Sequence, residues 1–150
     1  MTGEIHIPFN TAQLKFIKKD DKQFVFDVFR KKYVVFTPEE MVRQIILHYL
    51  VAEKGYPAAL ISVEKTVQGS NFRYDAVVHN RRGEAVMVIE CKKPGIELNE
   101  KTLLQISNYN IRLKVPYWLI SNGPSTYCIS LKHNSEKIQF LPSIPAYQEL

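Results

Sequence analysis

The chain has 150 residues, enough for one domain with its own hydrophobic core, and its 45% hydrophobic and 11% aromatic content argues against disorder. No apolar run approaches the roughly 20 residues that span a bilayer, and "MTGEIHIPFN" lacks a signal-peptide pattern, so we expect a cytoplasmic protein without membrane contact. The net charge of +5 favours a polyanionic partner weakly, and two cysteines without a C-x-x-C spacing predict buried thiols rather than disulfides or zinc.

The first part of the chain predicts a hairpin followed by a long helix. "IKKDDK" is typical of an exposed turn or lead-in, and "FVFDVFRKKYVVF" contains two strand-like runs separated by "RKK". In "TPEEMVRQIILHYLVAEKGYP", Thr37 is the expected N-cap, Pro38 the first helical residue and Glu40 the third, which forms a capping box. Gly55 and Pro57 end the helix. Four residues at helical spacing should face the core: Val42, Ile45, Ile46 and Tyr49.

The rest of the chain predicts a sheet interrupted by one helix. Strands are expected at 59–67, 72–80 and 84–92, and the short link "RRG" makes the last two an antiparallel hairpin. "LNEKTLLQISNYNIRLK" predicts a second helix with Asn99 as N-cap, followed by strands "PYWLIS" and "TYCISL" and an edge strand "KIQFLP". This order predicts an α/β (α+β) fold, a mixed sheet flanked by helices in one domain. Within it, residues 1–36 form the lead-in and hairpin, and residues 37–141 form the core.

Charged residues stand at the end of a strand that is otherwise apolar. In "AVMVIECKKPG" both faces are apolar up to Ile89, which indicates a central strand. Because side chains alternate along a strand, Glu90 and Lys92 share one face while Cys91 points to the other. Asp75 lies on the preceding strand of the hairpin, so a second carboxylate is expected close to Glu90.

These residue types suit metal-assisted phosphoryl chemistry. Two converging carboxylates can hold Mg²⁺, with the backbone carbonyl of Cys91 as a further ligand, and a neighbouring Lys92 can orient an attacking water and offset developing charge. The alternative is a structural ion pair in which Lys92 only neutralises Glu90 or Asp75. Because desolvating three charges together is costly, the complete set favours a functional site.

The motif "RYDAVV…VIECKKPG" resembles the core motif of the PD-(D/E)XK nuclease superfamily. A longer pattern, from about Phe26 to Gly123, resembles the N-terminal nuclease domain of type I restriction enzyme R subunits. The resemblance implies a restriction-endonuclease-like fold, Mg²⁺-dependent DNA hydrolysis in which Mn²⁺ can substitute, metal ligands at Asp75 and Glu90, and a catalytic lysine at Lys92. It also implies DNA and other restriction or repair subunits as partners.

The sequence departs from this pattern in two respects. Tyr74 replaces the proline before the aspartate, a position whose side chain the chemistry does not need. The chain also has no G-x-x-x-x-G-K-[ST] motif and no room for motor domains. The second departure fits a nuclease module that acts alone or is recruited by other subunits.

The second helix carries a candidate DNA-facing surface. Gln105 and Tyr109 lie one turn apart on one helical face, and Arg112 continues it. The pair resembles the Q-x-x-x-Y motif of several branches of the superfamily, which implies a role in holding DNA. A polar face in contact with solvent is the alternative.

Support for a functional role is weaker for the other charged residues. Glu40 is a candidate for a further acidic metal ligand, although its capping role is a sufficient explanation, and Gln44 competes for the position. Glu64 alternates with Ser62 and Thr66, which favours a solvated carboxylate on an exposed face, with contact to the metal ligands as the alternative. The basic clusters at 30–32 and 81–82 are able to contact phosphates, but solvated hairpin tips are the default.

The leading hypothesis is therefore a Mg²⁺-dependent endodeoxyribonuclease domain. The first alternative is a non-catalytic DNA-binding or assembly module that keeps the nuclease fold, which the complete D…E-x-K set disfavours. The second alternative is a nuclease for RNA or branched DNA, and the sequence has no base-reading feature that separates it from the first hypothesis.

Overall fold

A small antiparallel sheet precedes the first helix. The computed structural model describes residues 3–8, 14–67, 73–110, 114–131 and 138–150, without the side chains of 106–110. The sheet consists of β1 (Phe16–Lys19), β2 (Lys22–Asp27) and β3 (Lys32–Val35) in the order β1-β2-β3. The predicted β2–β3 hairpin is confirmed. "IKKDDK" is not only a turn, because it also contributes the end of β1 around a tight turn in which Asp20 and Asp21 both have positive φ.

The first helix, α1 (Pro38–Lys54), has the predicted bounds, N-cap and C-terminal glycine, but Glu40 does not complete the predicted capping box because its carboxylate contacts Arg30, Arg43 and Gln44. The Thr37 hydroxyl accepts a hydrogen bond from the backbone N–H of Glu40 at 3.0 Å. Gly55 ends the helix in the left-handed conformation with φ of 72°, which glycine adopts at little cost. Of the predicted core residues, Val42, Ile45 and Ile46 are buried and Tyr49 is half-buried.

A six-stranded mixed sheet forms the centre of the domain. Its spatial order follows the chain: β4 (Ile61–Thr66), β5 (Arg73–His79), β6 (Ala85–Cys91), β7 (Tyr117–Ser121), β8 (Thr126–Ser130) and β9 (Gln139–Leu141). The β6–β7 pair is parallel and the other neighbours are antiparallel. A parallel pair needs a crossover, and α2 (Glu100–Asn110) lies in that connection. The predicted mixed α+β class and the restriction-endonuclease-like arrangement are confirmed.

The two faces of this sheet belong to separate core clusters. On one face, α1 packs its apolar residues against Ala76, Met87 and Ile89. On the other face, Leu103 of α2 lies in a cluster with Val88 and other strand residues. The strand β6 is therefore buried on both faces, as its composition predicts. The predicted burial of the free cysteines Cys91 and Cys128 is also confirmed, and Trp118 is buried as well.

Short 3₁₀ helices at Ala58–Leu60 and Tyr147–Glu149 complete the secondary structure of the described ranges. Neither α1 nor α2, the α-helices of those ranges, combines the length and hydropathy that a bilayer crossing requires.

Candidate active site

The strand register brings Asp75 and Glu90 together at one end of the β5–β6 pair. Ala76 pairs with Ile89, and the next positions in the same register are Asp75 and Glu90. At this point the Asp75 side chain joins the two strands, since its Oδ2 accepts a hydrogen bond from the backbone N–H of Cys91 at 2.7 Å. The carboxylate of Asp75 is thereby held against the end of β6.

Glu90 lies in an environment that opposes its negative charge. Its side chain is only 21% exposed, and the nearest cation in the described part of the site, Nζ of Lys92, lies 4.0 Å from its Oε2. Burial and then the charge of Asp75 raise the pKa of Glu90 to about 7, against the opposing effect of Lys92. Lys92 is 42% exposed, so the same ammonium group faces both the carboxylate and solvent.

Asp75 also accepts a hydrogen bond from the first helix. Its Oδ1 lies 3.0 Å from Nη2 of Arg43, a residue of α1 whose side chain is 8% exposed. The guanidinium and the Cys91 N–H therefore approach different oxygens of one carboxylate. Because an ionised carboxylate offers about four acceptor positions, these two hydrogen bonds leave room for a cation.

The donor set suits magnesium. The structure brings two carboxylates together, and Mg²⁺ is commonly held by one or two carboxylates with water and substrate phosphates completing its coordination. Within the described ranges, no group of three or more His, Cys, Asp or Glu side chains forms a closed metal site. The carbonyl of Cys91 stays a predicted ligand, while its side chain lies in the core on the α1 face of the sheet.

Arg43 belongs to an ion-pair network, which we define as Asp27, Arg30, Glu40, Arg43 and Glu64 and which is buried except at Glu64. Nη1 of Arg43 lies 2.9 Å from Oε2 of Glu40. Arg30, from the turn between β2 and β3, contacts the carboxylates of Glu40 and Asp27. The network therefore links the small sheet to α1 and, through Arg43, to Asp75.

Glu64 is exposed, as the sequence pattern predicts, with 40% of its side chain accessible, but it also lies beside the site. The pairs of Val63 with Ala76 and of Lys65 with Tyr74 place Glu64 across from Asp75. Its carboxylate forms ion pairs of 3.3 to 3.8 Å with three arginines, Arg30, Arg43 and Arg73, and so is not a free solvated group. Its φ of 53° is rare for a residue other than glycine, and such strained residues cluster at functional sites.

Glu40 and its alternative Gln44 are both buried in this network. Oε1 of Glu40 accepts a hydrogen bond from Nε2 of Gln44 at 3.0 Å and another from Arg30. The carboxylate of Glu40 thus faces arginines on both oxygens, and a metal ion there would compete with them. Its role as a ligand stays a prediction.

The other predicted DNA contacts lie on or after α2. Gln105 is exposed on this helix. Tyr109 lies in the same helix, four residues on, but its side chain and all of Arg112 lie outside the described residues. In the "RKK" cluster, Arg30 belongs to the ion-pair network, which leaves Lys31 and Lys32 exposed at the turn.

Arg43 was not singled out by sequence reasoning. It follows Glu40 by three residues on a helix whose neighbouring positions are apolar, and this spacing brings the two side chains together. An arginine in the buried sector of an amphipathic helix needs an acidic partner. That signal was present in "EEMVRQII" and would have identified it.

Comparison with known proteins assigns the chain to a family. The family model for the type I restriction enzyme R protein N terminus (HSDR_N) matches residues 38–145, well over half of the chain. The match includes Asp75, Glu90, Lys92 and Arg43. A search of curated proteins found no match. The chain belongs to the family of type I restriction enzyme R protein N-terminal domains.

Proposed function

We propose that this domain hydrolyses DNA phosphodiester bonds in a Mg²⁺-dependent reaction. The family is that of a restriction enzyme subunit, which supports a nuclease domain of restriction type. The observation that carries the proposal is the strand register, which sets Asp75 beside Glu90 and leaves Lys92 4.0 Å from Glu90. Asp75 and Glu90 would provide two oxygen ligands, and Lys92 a cation, at the point where the strands pass from the buried core to the surface.

Asp75 and Glu90 are the proposed metal ligands. Mg²⁺, or Mn²⁺ in its place, would supply Lewis acidity that polarises a phosphoryl oxygen and lowers the pKa of a coordinated water. Glu90 contributes when it is ionised, and a bound cation would offset the burial and the Asp75 charge that raise its pKa to about 7. The Cys91 carbonyl and Glu40 are further proposed ligands.

Lys92 is the proposed catalytic lysine. Its ammonium lies beside Glu90 and is 42% exposed, so it is accessible to a phosphate that approaches from solvent. In that position it can orient the attacking water and stabilise negative charge on the phosphate oxygens as the bond breaks.

Arg43 is a proposed positioning residue. Its hydrogen bond to Oδ1 of Asp75 and the Cys91 N–H at Oδ2 fix the carboxylate from two directions. A carboxylate whose rotation is restricted in this way loses less entropy when it binds a metal ion. On the substrate side, we propose that Gln105, Tyr109 and Arg112 contact DNA and that other restriction subunits recruit the domain.

The proposal is tested by comparing adjacent lysines. Lys92→Ala should lower the rate of Mg²⁺-dependent plasmid cleavage by roughly 100-fold or more, the typical effect of removing one group that stabilises a transition state. Lys93→Ala is the matched control, since Lys93 is exposed and next in sequence, and it should retain the wild-type rate. Gel-based nicking assays at saturating DNA measure both. Equal rates for Lys92→Ala and wild type would contradict the assignment, and DNA binding without any metal-dependent cleavage by the wild type would indicate a non-catalytic module.

A further inference from the structure

The small sheet carries most of the exposed large apolar side chains. The described part of the chain has seven such residues, and five of them lie between residues 16 and 35: Phe16, Ile17, Val28, Tyr33 and Val35. Isolated exposed apolar residues need no explanation, but a cluster of them indicates a binding surface.

Most of this cluster lies on one face of the sheet. Along β2, Val25 and Asp27 are fully buried, so the alternate residues Phe24 and Phe26 face the other way and are half-buried. The strand pairing sets Ile17 and Val35 beside Phe24, and Tyr33 beside Phe26. We define the outer face as Ile17, Phe24, Phe26, Tyr33 and Val35. An antiparallel sheet that has one buried face is usually polar on the other, and this one is not.

The same sheet carries most of the net positive charge of the protein. Residues 14–35 contain seven basic and three acidic side chains, a net charge of +4 against +5 for the whole chain. At one end of the outer face, Lys19 pairs directly with Lys22, and neither forms an ion pair with a residue of the described ranges. Like charges directly opposite each other destabilise a sheet, and a bound anion would relieve this.

We propose that the outer face binds single-stranded nucleic acid. The rings of Phe26 and Tyr33 meet edge to face with centroids 5.1 Å apart, and Tyr33 is 43% exposed, which leaves its ring available to stack on a base. Lys19 and Lys22, at the other end of the same face, would neutralise phosphates further along the bound strand. Aromatic side chains on a basic surface are the usual platform for single strands, whereas the bases of a duplex are not available for stacking.

A protein partner fits the composition less well. The centres of protein interfaces are depleted of lysine, and here lysines flank the apolar residues and share their face. The sheet is also tied to the candidate active site, because Arg30, after β2, contacts Glu40 and Glu64. Because Asp27 is on the buried face of β2, the outer face lies on the opposite side of the small sheet from this carboxylate. The proposal does not depend on cleavage, since binding can be measured without metal.

The test uses the 150-residue chain in EDTA and a fluorescent oligo(dT) of about 12 nucleotides, a length within the usual site size for single strands. Tyr33→Ala should weaken binding by about 5- to 100-fold, the range that loss of one stacked base produces. Tyr33→Phe should bind as wild type does, and Tyr33→Leu should bind as weakly as Tyr33→Ala, because it keeps apolar area but has no ring. Phe16→Ala is the matched control, an exposed aromatic residue on the opposite face that should leave affinity unchanged.

The lysines provide an independent measurement. Replacing both Lys19 and Lys22 with glutamine should reduce the slope of log affinity against log salt by about 1.4, the value for two phosphate contacts with a single strand. Circular dichroism melts verify that each variant is folded. Wild-type affinity in Tyr33→Ala, equal losses in Phe16→Ala, or an unchanged salt slope would overturn the proposal. The wild type could instead self-associate, lose this self-association in Tyr33→Ala and bind no oligonucleotide. That result would assign the outer face to a second copy of the chain and would also overturn the proposal.

Discussion

Glu90→Gln is expected to stabilise the protein at pH 8 by about 3 kcal/mol while it abolishes Mg²⁺-dependent cleavage. Burial and the charge of Asp75 raise the pKa of Glu90 from its ordinary value of 4.5 to about 7 in the folded protein. The folded state therefore binds the proton more tightly than the unfolded chain does. The resulting stability is fully present below pH 4.5 and is lost as the pH rises through 7, at about 1.4 kcal/mol for each pH unit between the two values.

Glutamine keeps the neutral, protonated form of this side chain at every pH. The variant and the wild type should thus be equally stable at pH 4 and should diverge between pH 4.5 and 7. Urea unfolding across this range measures the difference, and Glu53→Gln, an exposed carboxylate near the far end of α1, is the control with no expected pH-dependent gain. A pH-independent difference would show that the charge of Glu90 does not oppose folding.

The same variant separates stability from metal binding. Mg²⁺ should raise the melting temperature of the wild type, because it binds the folded state only, and should raise that of Glu90→Gln much less. A gain in stability together with a loss of activity is typical of a residue kept for function rather than folding. Equal Mg²⁺ stabilisation of both proteins would place the metal away from Glu90.

Arg43→Met is expected to destabilise the domain by about 3–5 kcal/mol, the usual cost of removing one partner from a buried ion pair. Without the guanidinium, Glu40 and Asp75 lose the cation that lies within 3.0 Å of each. Because methionine preserves most of the side-chain volume, the loss of stability measures the effect of removing the charge rather than that of creating a cavity. Urea unfolding at pH 7 measures the change in the free energy of unfolding.

Arg73→Met is the matched control for Arg43→Met. Arg73 is 68% exposed and pairs with Glu64 at 3.3 Å, and exposed pairs contribute only about 0–1 kcal/mol. Arg43→Lys should recover only part of the loss, because a single ammonium cannot bridge both carboxylates as the planar guanidinium does. Equal effects of Arg43→Met and Arg73→Met would mean that the buried network has no special role.

The central strands and the first helix could be predicted because their signals are local. The alternation in "AVMVIECK" and the short "RRG" link predict that Glu90 and Asp75 meet across a hairpin, and the structure has that register. The caps of α1 at Thr37 and Gly55 depend on residue types with specific backbone roles.

The ion pairs that join different elements of the network could not be predicted, because those partners are far apart in the chain. Arg30 meets Glu40 and Arg43 meets Asp75 only after three elements have packed, and no periodicity of the sequence encodes such contacts. Glu64 was assigned to solvent because its alternation with Ser62 and Thr66 is that of an exposed face. Its left-handed backbone and its arginine partners are tertiary features.

Cleavage of supercoiled plasmid by the 150-residue chain, in Mg²⁺ and in EDTA, tests the nuclease assignment most directly. The wild type should nick DNA only with Mg²⁺ or Mn²⁺, and Asp75→Asn should lose this activity while it still binds DNA, because only its metal-binding charge is removed. Asp21→Asn, in the exposed β1–β2 turn, should cleave at the wild-type rate. Cleavage that persists in Asp75→Asn, or that proceeds equally in EDTA, would contradict a metal-dependent site at Asp75 and Glu90.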